Sequence, residues 1–564
     1  MTESDEVAAV LDEFADRLEA KGVEYKPRAY RDAAESVREA STDALREPHE
    51  IPDVGDAIAS KIEELRETGS VDELDELREE FPVDIEALTR VEGVGPKTVG
   101  KLHDALGVTD LDELEEAARK GRVRNVSGFG EKTEQNILDG IGFARRAGER
   151  TPLGGSLPRA RELTERVEEA TGVVRAVAAG SVRRRKETTG DVDIVVVSED
   201  RGVTEDAVTE WDVEVVQSGD RKTSFRTDGE DVDLHLVEDE EFGAALQYFT
   251  GSKEHNVETR DIATDRGLKL NEYGVWDESG DGEDRVAGET EEGVYEALGM
   301  EYVPPELRED RGEVESALDG ELPDLVTVDD VRGELHSHTS RTDGGATLEE
   351  MVGGADEHGL EYLAVTEHTE ALGVVGGLSD EELLALADDV RALNDESDVR
   401  LFTGAEANIL KDGSLDVSDK TLAELDVVVA SVHSGMEMDR GEATDRLVSA
   451  VCHDGVDILG HPSGRLINSR EGYGYDFDAV LEAAEENGVA LELNASPRRL
   501  DVRDTQVRRC VERGVPVAVN TDAHSPGDFG NVEYGVATGR RGWAEADDVL
   551  NTRSADELAD WLDG

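Results

Sequence analysis

Apolar residues in the first 150 positions recur at helical spacing, as in "LDEFADRLEA" and "VDELDELREE", with acidic residues filling the other faces. This pattern predicts amphipathic helices joined by short turns. Three segments interrupt it in the same way: "IPDVGDAIASKI", "VEGVGPKTVGKL" and "VSGFGEKTEQNI". Each passes from an apolar residue through a glycine turn into a new helix. From about 151 to 260 the pattern is mixed α/β, and "DVDIVVV" and "DVDLHLV" predict strands. Residues 261–318 continue in a smaller α/β unit, where "DESGDGEDRVAGETEEG" reads as a surface loop. "ALDGELPDLVTVDD" then reads as a linker. Beyond it, short apolar runs such as "YLAVTEH", "LDVVVASVH", "VALELN" and "VPVAVNTDAH" alternate with helices. That alternation predicts parallel βα units closing into a barrel. The expected divisions are 1–85, 86–150, 151–260, 261–318, a linker at 319–330, and 331–564.

Charge changes the picture in one respect. The chain holds 135 acidic against 59 basic residues, a formal net charge of −76. Because the acid lies on helix faces between apolar positions, it reads as a solvated surface of the kind found in salt-loving microbes rather than as disorder. Net charge then cannot exclude nucleic acid as a partner, since molar salt screens repulsion. The two cysteines give no disulfide framework. "MTESDEVAAV" has no leader pattern and no apolar run is long enough to span a membrane. A cytoplasmic protein is expected.

The chemistry begins at "GSVRRRKETTGDVDIVVV", Gly180 to Val197. Asp191 and Asp193 stand at i and i+2, so their carboxylates share one face of the strand and repel each other without a cation between them. The strand contains no lysine, and a divalent metal is the natural partner. In "EDVDLHLVEDE", Asp231, Asp233 and His235 share a face. If the two strands pair, Asp233 becomes a third carboxylate, and three can hold two Mg²⁺ or Mn²⁺ ions for nucleotidyl transfer. The basic run then reads as the grip on a triphosphate, helped by the Gly180-Ser181 turn.

These motifs, with "YFTGS" and "LNEYGVW", resemble the family X DNA polymerases, the DNA polymerase β-like branch of the nucleotidyltransferases. The resemblance covers residues 1 to about 310 and implies a palm with Asp191, Asp193 and Asp233 as metal ligands. It also implies Ser181 and Arg184 on the triphosphate of a dNTP, Tyr248, Phe249 and Gly251 on the sugar, and Asn256 and Arg260 near the templating pair. The family commonly has a basic residue where this chain has Asp231. The three glycine turns resemble the helix-hairpin-helix, whose backbone N–H groups meet DNA phosphate. That likeness marks Gly55, Gly93, Gly95, Gly128 and Gly130, with Asp53 standing where the later hairpins have glycine. The first 85 residues resemble the family's lyase domain, with Lys26 and Tyr30 matching and Lys61 at the Schiff-base position. A nucleophilic lysine needs desolvation or nearby positive charge, and the surroundings here are acidic.

After residue 330, histidines and carboxylates cluster at the ends of expected strands: His336, His338, Asp343, His368, Glu406, His433, His461, Asp522 and His524. Packing does not explain such a set. In an α/β barrel the strand C-termini are where chemistry assembles, and imidazole with carboxylate suits Zn²⁺ or Mn²⁺. The region resembles the polymerase and histidinol phosphatase (PHP) domain, a distorted (βα)₇ barrel, with all nine usual ligands present and "TEH" where "TDH" is usual. The resemblance implies about three ions and a phosphodiesterase.

The expected protein is therefore a gap-filling repair polymerase with a 3′–5′ exonuclease. It would act as a monomer on gapped or nicked DNA with dNTPs, with repair proteins as further partners. AP endonuclease, 3′-phosphatase and 5′-deoxyribose phosphate lyase activities are further expectations. Two other readings stay open on the residues alone. One is a nucleotidyltransferase on a non-DNA acceptor fused to a small-molecule phosphatase; the other is a non-catalytic scaffold that binds DNA ends.

Overall fold

The computed structural model describes residues 3–23, 26–39, 45, 48–51, 54–68, 70–91, 93–148, 150–198, 211, 213–219, 221–227, 230–277 and 284–563. Two compact units result, one of residues 1–150 with 466–471 and one of residues 151–465 with 472–564.

In the first unit, helices Glu3–Ala20, Lys26–Glu39, Asp56–Thr68 and Asp72–Glu80 enclose a core that includes Phe14, Tyr30, Ile62 and Leu74. Helices Ile85–Thr89, Pro96–Leu106, Leu111–Arg119 and Glu131–Gly148 enclose a second core around Leu88, Leu102, Leu114 and Ile137. Gly93 (φ +76°) and Gly128 (φ +92°) occupy the left-handed region that their turns require. Asp53, the corresponding residue of the first hairpin, lies outside the described residues.

The second unit begins with a five-stranded sheet made of β1 (Val173–Ala178), β2 (Val192–Ser198), β3 (Glu214–Gly219), β4 (Lys222–Thr227) and β5 (Glu230–Val237), in the order β1-β2-β5-β4-β3. β2 and β5 are parallel neighbours, with Asp193 in register with Asp233. Val192, Ile194, Val195 and Val196 are buried, which is why this strand reads as a continuous apolar run.

A smaller unit follows, with helices Phe242–Thr250 and Lys253–Asp265 and the strands β6 (Leu268–Asn271), β7 (Gly274–Asp277) and β8 (Asp284–Ala287). The expected boundary at 260 falls inside the second of these helices. Of the acidic stretch expected as a loop, 278–283 lie outside the described residues, whereas Asp284–Ala287 pairs with β7 and Glu291–Ala297 is helical.

The barrel consists of seven parallel strands: β9 (Gly333–Glu334), β10 (Tyr362–Val365), β11 (Arg400–Asn408), β12 (Val427–Ser431), β13 (Ile458–Leu459), β14 (Ala490–Asn494) and β15 (Val517–Asn520). A parallel bridge between Ser337 and Ala523 ties the two edge strands together just beyond their ends. Strand interiors such as Tyr362–Val365 and Val427–Ser431 are wholly buried, as parallel strands covered on both faces must be. The segment read as a linker is docked. Val326 is fully buried, its N–H donates to Ala544 O, and Leu325 bridges Glu545.

Candidate functional site

In the palm, Gly180–Arg183 forms a single helical turn after β1. Gly180 is indispensable there: its φ is +63°, and a Cβ would come within 2.3 Å of Asp193 Oδ2. Ser181 on this turn is half-buried, and Gly190 and Asp191 are exposed just before β2. Asp193, Asp233 and His235 bring ligand atoms within 4.8 Å of one another. Asp191 is not in that group and sits at the strand's entrance. Asp233 accepts from Lys222 Nζ (2.7 Å) and Ser224 Oγ (2.5 Å) on the next strand. Burial works against its charge, but these two donors outweigh burial and hold its carboxyl below the usual range. His235 Nε2 lies 2.9 Å from Asp193 Oδ1, and its ring stacks on Phe249 with centroids 3.6 Å apart.

The lysine of β4 thus serves Asp233 on β5, and the partner of Asp193 on β2 is His235. β4 also accounts for Asp231, which pairs with Arg226 Nη2 at 2.7 Å across the register. Nothing in the sequence pattern of "KTSFRT" marks Lys222 or Ser224 as site residues. Only their register does.

Three of the four side chains of the basic run are already engaged. Arg183 makes two bonds to Glu291, which the fully buried Arg308 also grips. Arg184 donates from Nε to Glu309 (2.8 Å) and from Nη1 to Thr250 O (2.6 Å), and Lys186 Nζ lies 3.3 Å from the other Glu309 oxygen. On the helix side, Asn256 donates to Tyr248 O (2.7 Å) and accepts from Gln247 (3.1 Å), so its amide shapes the Tyr248–Gly251 turn. A Cβ at Gly251 would meet Asn256 Oδ1 at 2.5 Å. Arg260, half-buried, is one turn further along the same helix.

In the first unit, an added Cβ at Gly55, Gly93, Gly95 or Gly130 would meet no atom within 4 Å, so the hairpin tips are open to approach. Gly128 is also exposed at its tip. Lys61, on the helix Asp56–Thr68, is paired with Glu73 and lies 5.4 Å from the Phe14 ring centroid, with Tyr30 stacked on Phe14. Lys26 is exposed. A nucleophilic amine at Lys61 would first have to leave Glu73.

All nine expected barrel residues converge. Glu406, wholly buried, lies 2.7 Å from His368 Nδ1 and 3.0 Å from both His433 Nε2 and His461 Nε2. Asp522 Oδ1 is 3.1 Å from His338 Nε2 and 3.5 Å from His336 Nε2, and Asp343 Oδ2 is 3.1 Å from His368 and 3.6 Å from His524. Three overlapping groups have ligand atoms within 4.8 Å: His338/Asp343/His368/His524, His336/His338/Asp522 and His368/Glu406/His433.

A second layer, unmarked by any motif, orients the rings. Glu492 Oε1 lies 2.7 Å from His336 Nδ1, Asn408 Oδ1 is 2.7 Å from His433 Nδ1, and Asn494 donates to Asp522 at 3.0 Å. Burial disfavours an imidazolium at His368, but Glu406 and Asp343 outweigh it and push its pKa up to about 10. Burial, with His368 and His524 beside it, drives His338 down to about 3. His336 Nε2, His338 Nδ1 and His461 Nδ1 are buried with no hydrogen-bond partner, as a cation site would leave them. Asp522 has φ +54°, strained backbone of the kind that collects at functional sites.

Against this geometry the comparisons are specific. Along 99% of its length, and 99% of the relative's, the chain is 35% identical to a DNA polymerase/3′-5′ exonuclease PolX of Bacillus subtilis (strain 168). The chain belongs to the PHP-bearing family X DNA polymerases. Four family descriptions match in the corresponding order: a helix-hairpin-helix domain at 3–71, a SAM-like helix-hairpin-helix tandem at 85–142, the DNA polymerase beta thumb at 245–309 and the PHP domain at 334–496.

The chain is also 32% identical over 212 residues to a protein of Caldicellulosiruptor saccharolyticus named "Probable phosphatase". That match spans 35% of this chain and 81% of the relative. A second protein named a probable phosphatase, from Thermoanaerobacter sp. (strain X514), is 28% identical over 39% of this chain and 89% of its own. Membership of the PHP-bearing family X implies DNA and dNTP binding and dependence on metal ions, and both clusters have the donor chemistry for divalent cations. Among the described residues no helix is long and apolar enough to cross a membrane.

Proposed function

We propose that the chain is a DNA repair polymerase that fills short gaps by template-directed nucleotidyl transfer and trims 3′ ends with a phosphodiesterase in its barrel. One observation carries the reading. A chain similar throughout to a polymerase/exonuclease holds two carboxylate clusters, on either side of residues 319–330, one acid-rich and one histidine-rich. Asp191, Asp193 and Asp233 would hold Mg²⁺ or Mn²⁺, and the nine barrel residues would hold about three Mn²⁺ or Zn²⁺ ions. Bound ions at both places supply positive charge to phosphate oxygens and lower the pKa of an attacking oxygen.

The chain's own residues do the rest. Lys222 compensates the negative charge of Asp233, and His235 Nε2 lies within hydrogen-bond distance of Asp193 and fixes its orientation. Ser181 and Arg184 offer a hydroxyl and a guanidinium to the triphosphate of a dNTP, with Gly190 leaving room at the turn into β2. Tyr248, Phe249 and Gly251 line the sugar, and Asn256 and Arg260 stand towards the templating pair. Backbone N–H groups at Gly55, Gly93, Gly95, Gly128 and Gly130 take DNA phosphates without needing a basic surface, which suits an acidic chain. In the barrel, Glu492 and Asn408 fix which imidazole nitrogen faces the centre.

Lys61 is the candidate for lyase chemistry, and AP endonuclease and 3′-phosphatase activities belong to the barrel in the same reading. Action as a monomer in the cytoplasm, beside repair proteins, completes it; Cys452 and Cys510 are both free thiols. A non-DNA acceptor is disfavoured by the two helix-hairpin-helix matches. The test is extension and end-labelled degradation on gapped DNA with Mg²⁺ or Mn²⁺. Absence of templated extension under all salt conditions would overturn the polymerase reading.

A further inference from the structure

The helix Val532–Arg541 of the barrel half lies against the polymerase half. Glu533 near its start pairs with Arg161 (2.7 Å) and Arg540 near its end with Glu306 (2.8 Å). Its last residue, Arg541, is almost fully buried. From Nη1 it donates to the backbone carbonyl of Arg184 at 2.7 Å and to Glu309 Oε1 at 3.1 Å. Nε and Nη2 donate to Asp504 Oδ2 at 3.0 and 2.8 Å, and Asp504 also accepts from Arg311 at 3.0 Å. These partners include none of the nine barrel residues.

We propose that Arg541, a residue of the barrel half, is a positioning residue for nucleotide addition, acting through Arg184. The inference rests on the reading of Arg184 as a triphosphate ligand. Two physical arguments support it. The turn Gly180–Arg183 is too short to hold its own shape, and its C-terminal carbonyls need outside donors. Arg541 supplies one at the residue that caps the turn, whose other end places Gly180 against Asp193. The second argument is charge. Glu309 is shared by Arg184, Lys186 and Arg541. When Arg184 turns to a triphosphate, Arg541 remains to compensate the buried carboxylate, which would otherwise compete with the nucleotide for Arg184.

The experiment measures dNTP kcat and KM on gapped DNA for full-length Arg541→Gln, Arg541→Lys, Arg184→Gln and the double Gln variant. Degradation of end-labelled single-stranded DNA is followed in parallel. Arg541→Gln should raise dNTP KM on the order of tenfold, within the range of coupling between contacting charged residues. It should leave kcat and end degradation near parental values. Arg541→Lys should recover most of the KM, and Arg541→Gln should add little once Arg184 is already Gln. An unchanged KM in Arg541→Gln, an equal loss of extension and degradation, or full additivity in the double variant would each overturn the proposal. If Arg184→Gln itself leaves KM unchanged, the triphosphate reading of Arg184 fails and takes this inference with it. That result is distinct from an effect at Arg184 with none at Arg541.

Discussion

Glu309 is one of several charged residues that join the polymerase and barrel halves, and its replacement by Gln has a predictable cost. Burial opposes its charge, but Arg541, Arg184 and Lys186 outweigh burial and bring its carboxyl from the ordinary 4.5 down to about 2. A depression of that size corresponds to about 3 kcal/mol of folded-state stability at neutral pH. The contribution is complete above pH ~4.5 and is lost as pH falls towards 2, because the unfolded chain then binds the proton that the folded chain refuses. At pH 4 roughly 1 kcal/mol should already be gone. Urea unfolding of parent and Glu309→Gln, in molar KCl to screen the surface acid, should therefore differ by about 3 kcal/mol at pH 7 and by less at pH 4. Screening should not erase the difference, since the carboxylate is buried. A difference below ~0.5 kcal/mol at pH 7, or an equal difference at both pH values, would refute the reasoning.

Other expectations are simpler to test. Asp233→Asn should lower nucleotide addition at least ~10²-fold while sparing end degradation, and Asp522→Asn should do the reverse. If either variant erased both, the sites would not be independent. Borohydride trapping on a 5′-deoxyribose phosphate end should rise in Glu73→Gln, which frees the Lys61 amine, and vanish in Lys61→Ala; trapping that persists without Lys61 excludes it as the nucleophile. Extension should peak at high KCl, where screening offsets the repulsion between DNA and the acidic surface. An optimum at low salt would contradict a salt-adapted surface.

How legible each site is from sequence depends on how local its chemistry is. Asp193 declares itself as a carboxylate in an apolar strand that needs a partner, while Asp191 stands before the strand and outside the cluster. The glycine turns declare themselves because glycine alone readily accepts the φ of Gly93 and Gly128. Asp233 is legible only on condition that its strand lies beside β2, which the register of Asp193 with Asp233 satisfies. Lys222, Ser224 and Arg226 are not legible at all. They lie on an ordinary alternating strand, and their meaning arises from cross-strand pairing that no local pattern encodes. Glu309 and Arg541 are further out of reach, more than two hundred positions apart. In the barrel the nine residues read as ligands stand in recognisable strand-end motifs, whereas Glu492 and Asn494 hide in "VALELN" as two polar residues in a buried strand.

The segment 319–330 shows what composition conceals. Its glycine, proline and acid read as a tether, yet Leu325 belongs to the same core as Val303 and Tyr295 of the polymerase half, and Val326 to a core of the barrel. Trp543, from the barrel half, sits in that first core and is 6% exposed. The chain therefore divides chemically at 330 without dividing mechanically there. A fragment 331–564 would uncover Trp543 where it meets the polymerase half, remove Val326 from its core and strip Arg541 of both Glu309 and the Arg184 carbonyl. Exposing the tryptophan and the valine pocket alone should cost about 3–5 kcal/mol, and the buried arginine adds to it. A fragment 151–564, which keeps these contacts, should unfold at a higher temperature than 331–564 in the same KCl. Equal melting temperatures would mean that the shared core contributes nothing to the barrel, and that 319–330 is the tether its composition suggests.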